Sequence, residues 1–184
     1  MTVKSNNVFI ATSLDGYIAD KDGGLECLNS FPNPDNLDMG YSDFISKTDA
    51  VVMGRTTFET VCGFDIDWPY EKPVFVLSNS LKELPPAYAH KAFLIKGPLK
   101  EILEQINSRG YYQLYIDGGV TIQNFLKEDL IDNITITIIP VLLGGGFPLF
   151  GELSKVLYFE AAHTKQYSNK AIQHTYQRKK MLIG

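Results

Sequence analysis

Short apolar runs alternate with helical patterns along most of this chain, and strand patterns alone fill the remainder. Val8 to Ala11 predicts a first buried strand, followed by a polar, Gly-rich stretch from Asp15 to Pro34 that is too long for a simple connection and reads as a lid. Residues Met39 to Lys47 read as a helix and Ala50 to Met53 as a second strand, after which Phe58, Val61 and Cys62 share one helical face. Val74 to Leu77 and Ala92 to Ile95 are further strands. Gly97-Pro98 stops the latter and places proline at the start of a helix carrying Leu99, Ile102, Leu103 and Ile106 at helical spacing. Leu114 to Ile116 leads into another helix, with Ile122, Phe125 and Leu126 on its buried face. Ile134 to Ile139 is β-branched throughout, Val156 to Phe159 is apolar, and Ala171 to Gln177 alternates small or polar residues with Ile172, His174 and Tyr176. The last two segments predict an antiparallel hairpin. Strands separated by helices should pair parallel and the later ones antiparallel, so the class is α/β with a mixed sheet.

Two strand-to-helix junctions stand out: Val51-Val52-Met53-Gly54-Arg55-Thr56-Thr57-Phe58 and Leu114-Tyr115-Ile116-Asp117-Gly118-Gly119-Val120-Thr121. In each, an apolar run ends at glycine and small hydroxyl residues open a helix. Unpaired backbone N–H groups and a positive helix end then face outward, a surface that suits phosphate oxygens. One such junction is ordinary punctuation between strand and helix. Two in one small chain read as a dinucleotide phosphate cradle.

Composition narrows the partners. The chain has 184 residues, the size of one well-cored domain, and a net charge of −4 without a basic run, which argues against nucleic acid and acidic membranes. A small-molecule ligand fits better. Cys27 and Cys62 form no CxxC pair, no charged-then-apolar leader precedes the first strand and no apolar stretch is long enough to span a bilayer, so a cytoplasmic protein is expected. His90, His163 and His174 lack metal-ligand spacing, and no metal is expected.

Five segments carry a family resemblance: Ser13-Leu14-Asp15-Gly16-Tyr17-Ile18-Ala19, Met53-Gly54-Arg55-Thr56-Thr57-Phe58, Leu77-Ser78-Asn79-Ser80, Asp117-Gly118-Gly119, and Ile139-Pro140-Val141-Leu142-Leu143-Gly144-Gly145-Gly146-Phe147-Pro148-Leu149-Phe150. In this order they resemble the dihydrofolate reductase superfamily, and within it the reductase domain of the riboflavin-pathway deaminase/reductase enzymes and their stand-alone relatives. The proline and triple-glycine loop is the most specific match. The resemblance implies one domain over residues 1–184 with a three-layer α/β/α fold, a central mixed and mostly parallel sheet and a C-terminal antiparallel hairpin. It also implies NADPH along the carboxyl edge of that sheet. Gly54, Arg55, Thr56 and Thr57 would meet the cofactor phosphates, Ser78, Asn79 and Ser80 the adenosine ribose and its 2′-phosphate, and Gly118, Gly119, Val120 and Thr121 the pyrophosphate. Ala11, Ile18 and Ala19 would flank the nicotinamide, with Ala11 offering backbone hydrogen bonds to its carboxamide. Asp15-Gly16 reads as the turn that begins the lid.

Hydride transfer asks little of side chains, so specificity lies with the substrate. Folate reductases place a carboxylate on the helix after the lid; that position is Gly40 here, and of Asp38, Tyr41 and Asp43 only Asp38, on a face shared with Tyr41, could stand in. Riboflavin-type reductases usually carry a first-strand lysine that helps bind the substrate's ribose phosphate, where this chain has Phe9. Phenylalanine cannot offset a phosphate, although it can stack on a flat ring. Cys27 stands about where relatives often have an aromatic lid residue. Asp117 matches an acidic residue before the glycine pair and is a candidate to orient or protonate substrate, alternatively a strand-end cap. The resemblance thus implies an NADPH-dependent reductase of a pyrimidine- or pterin-like ring, with catalytic candidates Asp117, Asp38 and Tyr41 and substrate contacts from Phe9 and Tyr41. Folate reduction and a non-catalytic NADPH-binding module are the alternatives. The Ile134 strand, the Pro140 to Phe150 loop and the last hairpin would leave a long sheet edge with Phe147, Leu149 and Phe150 exposed, which predicts a homodimer, as in relatives of the riboflavin branch.

Overall fold

The computed structural model describes residues 3–179, without the side chains of Cys27 and Asn29. The expectation placed on Cys27 therefore lies outside the described residues. Strands β1 (Ser5–Ser13), β3 (Ala50–Gly54), β4 (Val74–Leu77), β5 (Ala92–Ile95), β6 (Gln113–Asp117), β7 (Asn133–Ile139), β9 (Phe159–Gln166) and β10 (Ile172–Arg178) form one sheet in the order β5-β4-β3-β6-β1-β7-β10-β9. The pairs from β5 through β7 are parallel, and β10 pairs antiparallel with both β7 and β9. A second, small sheet joins β2 (Tyr17–Ala19) to β8 (Phe147–Pro148).

Helices cover both faces, and alternation along the strands decides which side chain meets which helix. Val8, Val52, Phe75, Leu114 and Ile116 pack on one face with Ile102 and Ile106 of α4 (Leu99–Ser108) and Ile122 and Phe125 of α5 (Gly119–Lys127). Val51, Met53, Val74, Val76 and Tyr115 point to the other, onto Phe58 of α3 (Arg55–Cys62) and the half-buried Phe44 and Ile45 of α2 (Tyr41–Ser46). Burial on two sides is why β3 and β4 read as unbroken apolar runs. The short helix α1 (Glu26–Asn29) sits in the stretch read as a lid. Among the described residues no helix is long and apolar enough to cross a membrane.

The later strands and the Pro140 to Phe150 loop depart from expectation in four places. The penultimate strand starts at Phe159, not Val156, and runs through a polar segment whose residues are nearly all exposed, because an edge strand is held by backbone pairing and needs no apolar signal. In β10 the buried side chain is Gln173, which donates from Nε2 to Thr137 Oγ1 at 2.8 Å and to the Met39 carbonyl at 2.9 Å, while Ile172 is exposed. Strand β7, although it follows the second junction, lies parallel to β1 because α5 returns the chain before it. Leu149 is buried, leaving only Phe147 and Phe150 of the three apolar loop residues exposed.

The Asp15-Gly16 turn that begins the lid is tied down by the triple-glycine loop. Asp15 accepts hydrogen bonds from the Leu143 and Gly144 amides at 3.1 and 2.8 Å, and Leu149 N donates to the Gly16 carbonyl at 3.0 Å. Gly146, at φ 145°, lies so close to this turn that a Cβ there would come within 2.1 Å of the Ala19 carbonyl oxygen. Helix α2 begins at Tyr41 rather than Met39, since Met39 and Gly40 take left-handed φ values of 51° and 85°.

Candidate active site

The two glycine junctions are neighbours in space. Strands β3 and β6 pair with Met53 opposite Asp117, so Gly54 and Gly118 end adjacent strands and α3 and α5 begin side by side. Each junction packs a threonine against the other's glycine. A Cβ on Gly54 would lie 2.8 Å from Thr121 Oγ1, and one on Gly118 only 2.1 Å from Thr57 Oγ1. No side chain caps either helix and neither carries an acid in its first turn, which leaves both positive ends open. The N-terminus of α4, with Gly97 and Pro98, opens on the same space.

That space is a cleft of about 1140 Å³ along the carboxyl edge of the sheet. Its walls bring together Ala11, Ile18 and Ala19; Gly54, Arg55, Thr56 and Thr57; Ser78 and Asn79; and Gly118, Gly119, Val120 and Thr121, with Phe9 and Asp117 at the β1 and β6 positions. Ser80 stands just outside, where its Oγ receives a hydrogen bond from Arg55 Nη1 at 3.4 Å. Arg55 is also held by Glu59 at 2.7 Å and leans toward β4. The positive φ belongs to Gly118, at 88°, whereas Gly119 is helical and its missing Cβ makes room for Ile18 Cδ1, 2.6 Å from where that atom would sit.

Asp38 and Tyr41 do not line the cleft. Asp38 is exposed and accepts from the Gly40 and Ser42 amides at 2.9 and 3.0 Å, so its carboxylate serves the turn into α2, and hydrogen bonding by the Ser42 side chain, together with these amides, holds its pKa down at about 2. It is withdrawn as a catalytic candidate. Tyr41 stands behind Phe9, ring edge to ring face at 5.9 Å, and burial raises its pKa, with a further push from Asp117. Asp43 pairs with Lys47 on the exposed side of α2.

Asp117 has the most unusual surroundings. Burial pushes its pKa up, while Gly118 N donates to Oδ1 at 2.8 Å and the Tyr70 hydroxyl to Oδ2 at 3.4 Å. Burial and the nearby Asp117 raise the pKa of Tyr70 and of Tyr115, so both phenols stay protonated. The Tyr115 hydroxyl donates to the Phe9 carbonyl at 3.0 Å. Tyr70 was not legible as a site residue: it sits in a loop without regular structure and is delivered to the cleft by Trp68, 5.4 Å away, which packs in turn on Phe58 and Tyr88 at 6.0 and 5.3 Å. The cluster Trp68-Pro69-Tyr70 in a polar stretch was the available signal. One end of the cleft can therefore receive anionic groups, and the other offers aromatic walls and a protonatable acid.

Solved structures share this architecture. A protein of Shewanella sp. PV-4, provisionally described as a riboflavin biosynthesis protein, matches with a TM-score of 0.93 at 56% identity over 96% of this chain and 99% of that one. The Thermotoga maritima diaminohydroxyphosphoribosylaminopyrimidine deaminase/5-amino-6-(5-phosphoribosylamino)uracil reductase matches at TM-score 0.74 and 15% identity, over 96% of this chain and 57% of its own. Dihydrofolate reductase from Enterococcus faecalis, solved with NADP(H), matches at TM-score 0.63 and 18% identity over 96% of this chain and 97% of that chain. These last two likenesses establish the dihydrofolate reductase-like fold and nothing finer. In sequence, YwjB of Bacillus subtilis is 37% identical over 175 residues, 93% of this chain and 96% of YwjB. Residues 6–173 match the family model of the RibD C-terminal domain, and the chain belongs to that family.

Proposed function

We propose that this protein is an NADPH-dependent reductase that transfers hydride to a pyrimidine- or pterin-like small molecule, resembling the 5-amino-6-(5-phosphoribosylamino)uracil reductase of riboflavin biosynthesis. The observation that carries the reading is the pair of uncapped, glycine-led helix ends on one cleft, with a half-buried acid between them and an aromatic wall. Membership of the RibD C-terminal domain family and the NADP(H) bound by the Enterococcus faecalis enzyme of like fold support the choice of cofactor. When bound, NADPH supplies the hydride. Arg55 and the Thr56 and Thr57 hydroxyls would hold its phosphates, Ser78, Asn79 and Ser80 its adenosine ribose and 2′-phosphate, and the Gly118 to Thr121 backbone its pyrophosphate. Ala11, Ile18 and Ala19 would bound the nicotinamide, Phe9 would stack on the substrate with Tyr41 buttressing it, and Asp117 would exchange a proton with the substrate.

Calorimetric titration with NADPH, followed by oxidation of NADPH across a panel of reducible heterocycles, tests the reading. Submillimolar binding with turnover is expected. Binding without turnover on any ring would reduce the protein to a nucleotide-binding module, and no binding would remove the reading. Gly119→Val should block cofactor binding, because the added side chain would intrude where Ile18 and the pyrophosphate must both fit; normal affinity in a folded variant would make the second junction structural only. We also propose that the protein works as a homodimer, since β9 is an edge strand with one open side among the described residues and Phe147 and Phe150 stay exposed. A monomer mass in light scattering that persists on concentrating would rule this out.

A further inference from the structure

The two ends of the cleft differ in charge. Of the residues lining it, among those described, only Arg55 and Lys127 are cationic. Arg55 leans toward β4, on the far side of β3 from Asp117, and is held there by Glu59 and Ser80. Lys127 closes α5, eight residues and roughly 12 Å along the helix from its glycine-led start. The cleft wall beside Asp117 is aromatic: Tyr70 donates to its carboxyl group, and Tyr115, two residues before it on β6, donates to the Phe9 carbonyl. A phosphate brought to this end would lose its hydration and meet a carboxylate and two phenols in place of a cation.

What this end does offer is flat and hydrogen-bonding. Phe9 is fixed as a wall by stacking on Phe44 at 4.8 Å, with Tyr41 against its edge. Tyr115 directs its hydroxyl to the Phe9 carbonyl, whereas Tyr70 directs its proton to Asp117 Oδ2 and keeps its oxygen lone pairs for another donor. Asp117 and Tyr70 thus present adjacent acceptor oxygens. We infer that the substrate end of the cleft takes a flat heterocycle that carries no phosphate and presents an N–H edge to Asp117 and Tyr70. This rests on the reductase reading and makes Tyr70 a determinant of specificity.

Isothermal calorimetry on the NADPH-loaded protein tests it with a matched pair of probes: 5-amino-6-(5-phosphoribosylamino)uracil and its dephosphorylated nucleoside. The nucleoside should bind at least about tenfold more tightly, a decade in Kd. Phe9→Lys should narrow or invert that preference, and Tyr70→Phe should weaken the nucleoside by about tenfold, with melting curves showing that each variant is folded. Equal or tighter binding of the phosphorylated probe overturns the inference, as does failure of both probes on protein that binds NADPH. Failure to bind NADPH itself would instead remove the reductase reading beneath it.

Discussion

Gly54 and Gly118 end adjacent strands and open adjacent helices, yet each is required for a different reason. Gly54 has φ −79° and ψ 168°, a conformation open to any residue, and only the nearby Thr121 hydroxyl excludes a side chain. Gly118 has φ 88° and ψ 133°, which glycine alone adopts without strain, and it also presses on Thr57. The residues just before them differ as well: Met53 is fully buried in the core, while its partner across the ladder, Asp117, is a protonatable acid on the cleft. The first junction is thus a packing solution that holds a cation, Arg55, toward β4. The second uses a conformation that only glycine takes freely to bring a carboxyl group and an uncapped helix end to the same point.

The comparison breaks most sharply at Gly118. Gly118→Ala should lower stability in urea unfolding by on the order of 3 kcal/mol, combining left-handed strain with overpacking against Thr57; a loss no larger than that of Gly54→Ala would mean the junctions are equivalent. Next in size, Arg55→Ala should weaken NADPH binding by about 1–3 kcal/mol, the scale of a hydrogen bond to a charged group. Its stability should hardly change, since the ion pair it gives up with Glu59 is about half exposed and such pairs contribute roughly 0.3–0.5 kcal/mol. Unchanged affinity in calorimetry would remove Arg55 from the cofactor site. Gly54→Ala should cost about 1 kcal/mol and recover in a Thr121→Ala background, because the obstacle is one hydroxyl and Gly→Ala otherwise restricts the unfolded chain.

The smallest effect concerns pH. Burial raises the Asp117 pKa above its ordinary 3.8, so the folded state holds a proton that the unfolded state has released across the interval between the two values. Stability should therefore fall as pH rises through that interval and level off above it. Asp117→Asn should remove this decline. A melting-temperature profile in which the wild type and Asp117→Asn run parallel from pH 3 upward, a range of about four units, would show that Asp117 titrates normally.

The sequence was most readable where neighbours along the chain decide the outcome. Val51 to Met53 and Leu114 to Ile116 are buried strands, and Ile102, Leu103 and Ile106 form a helix face, as their spacing predicts. Legibility failed where the partner is distant. β2 and β8 are too short to carry a pattern and exist because they pair with each other across the chain. β9 is polar and exposed, so nothing in its composition marks it as a strand. Asp38 looked like a stand-in catalytic acid because its type and position suited one; only the turn geometry shows that its oxygens are already engaged by Gly40 and Ser42.

The site divides along the same line. The glycines, the hydroxyl-rich helix starts, Arg55 and Asp117 could be picked out from the chain itself, because a strand ending in glycine before a helix leaves donors unpaired wherever it occurs. That the two junctions stand side by side is a property of strand order, set when β6 inserts between β3 and β1. Tyr70 reaches Asp117 only because Trp68 packs on Phe58 and Tyr88, residues of two other segments. By itself, the sequence determined the local chemistry of this protein, since backbone conformation and hydrophobic periodicity act over a few residues. The tertiary structure decided which of those chemistries meet, because strand register and aromatic packing join positions far apart in the chain.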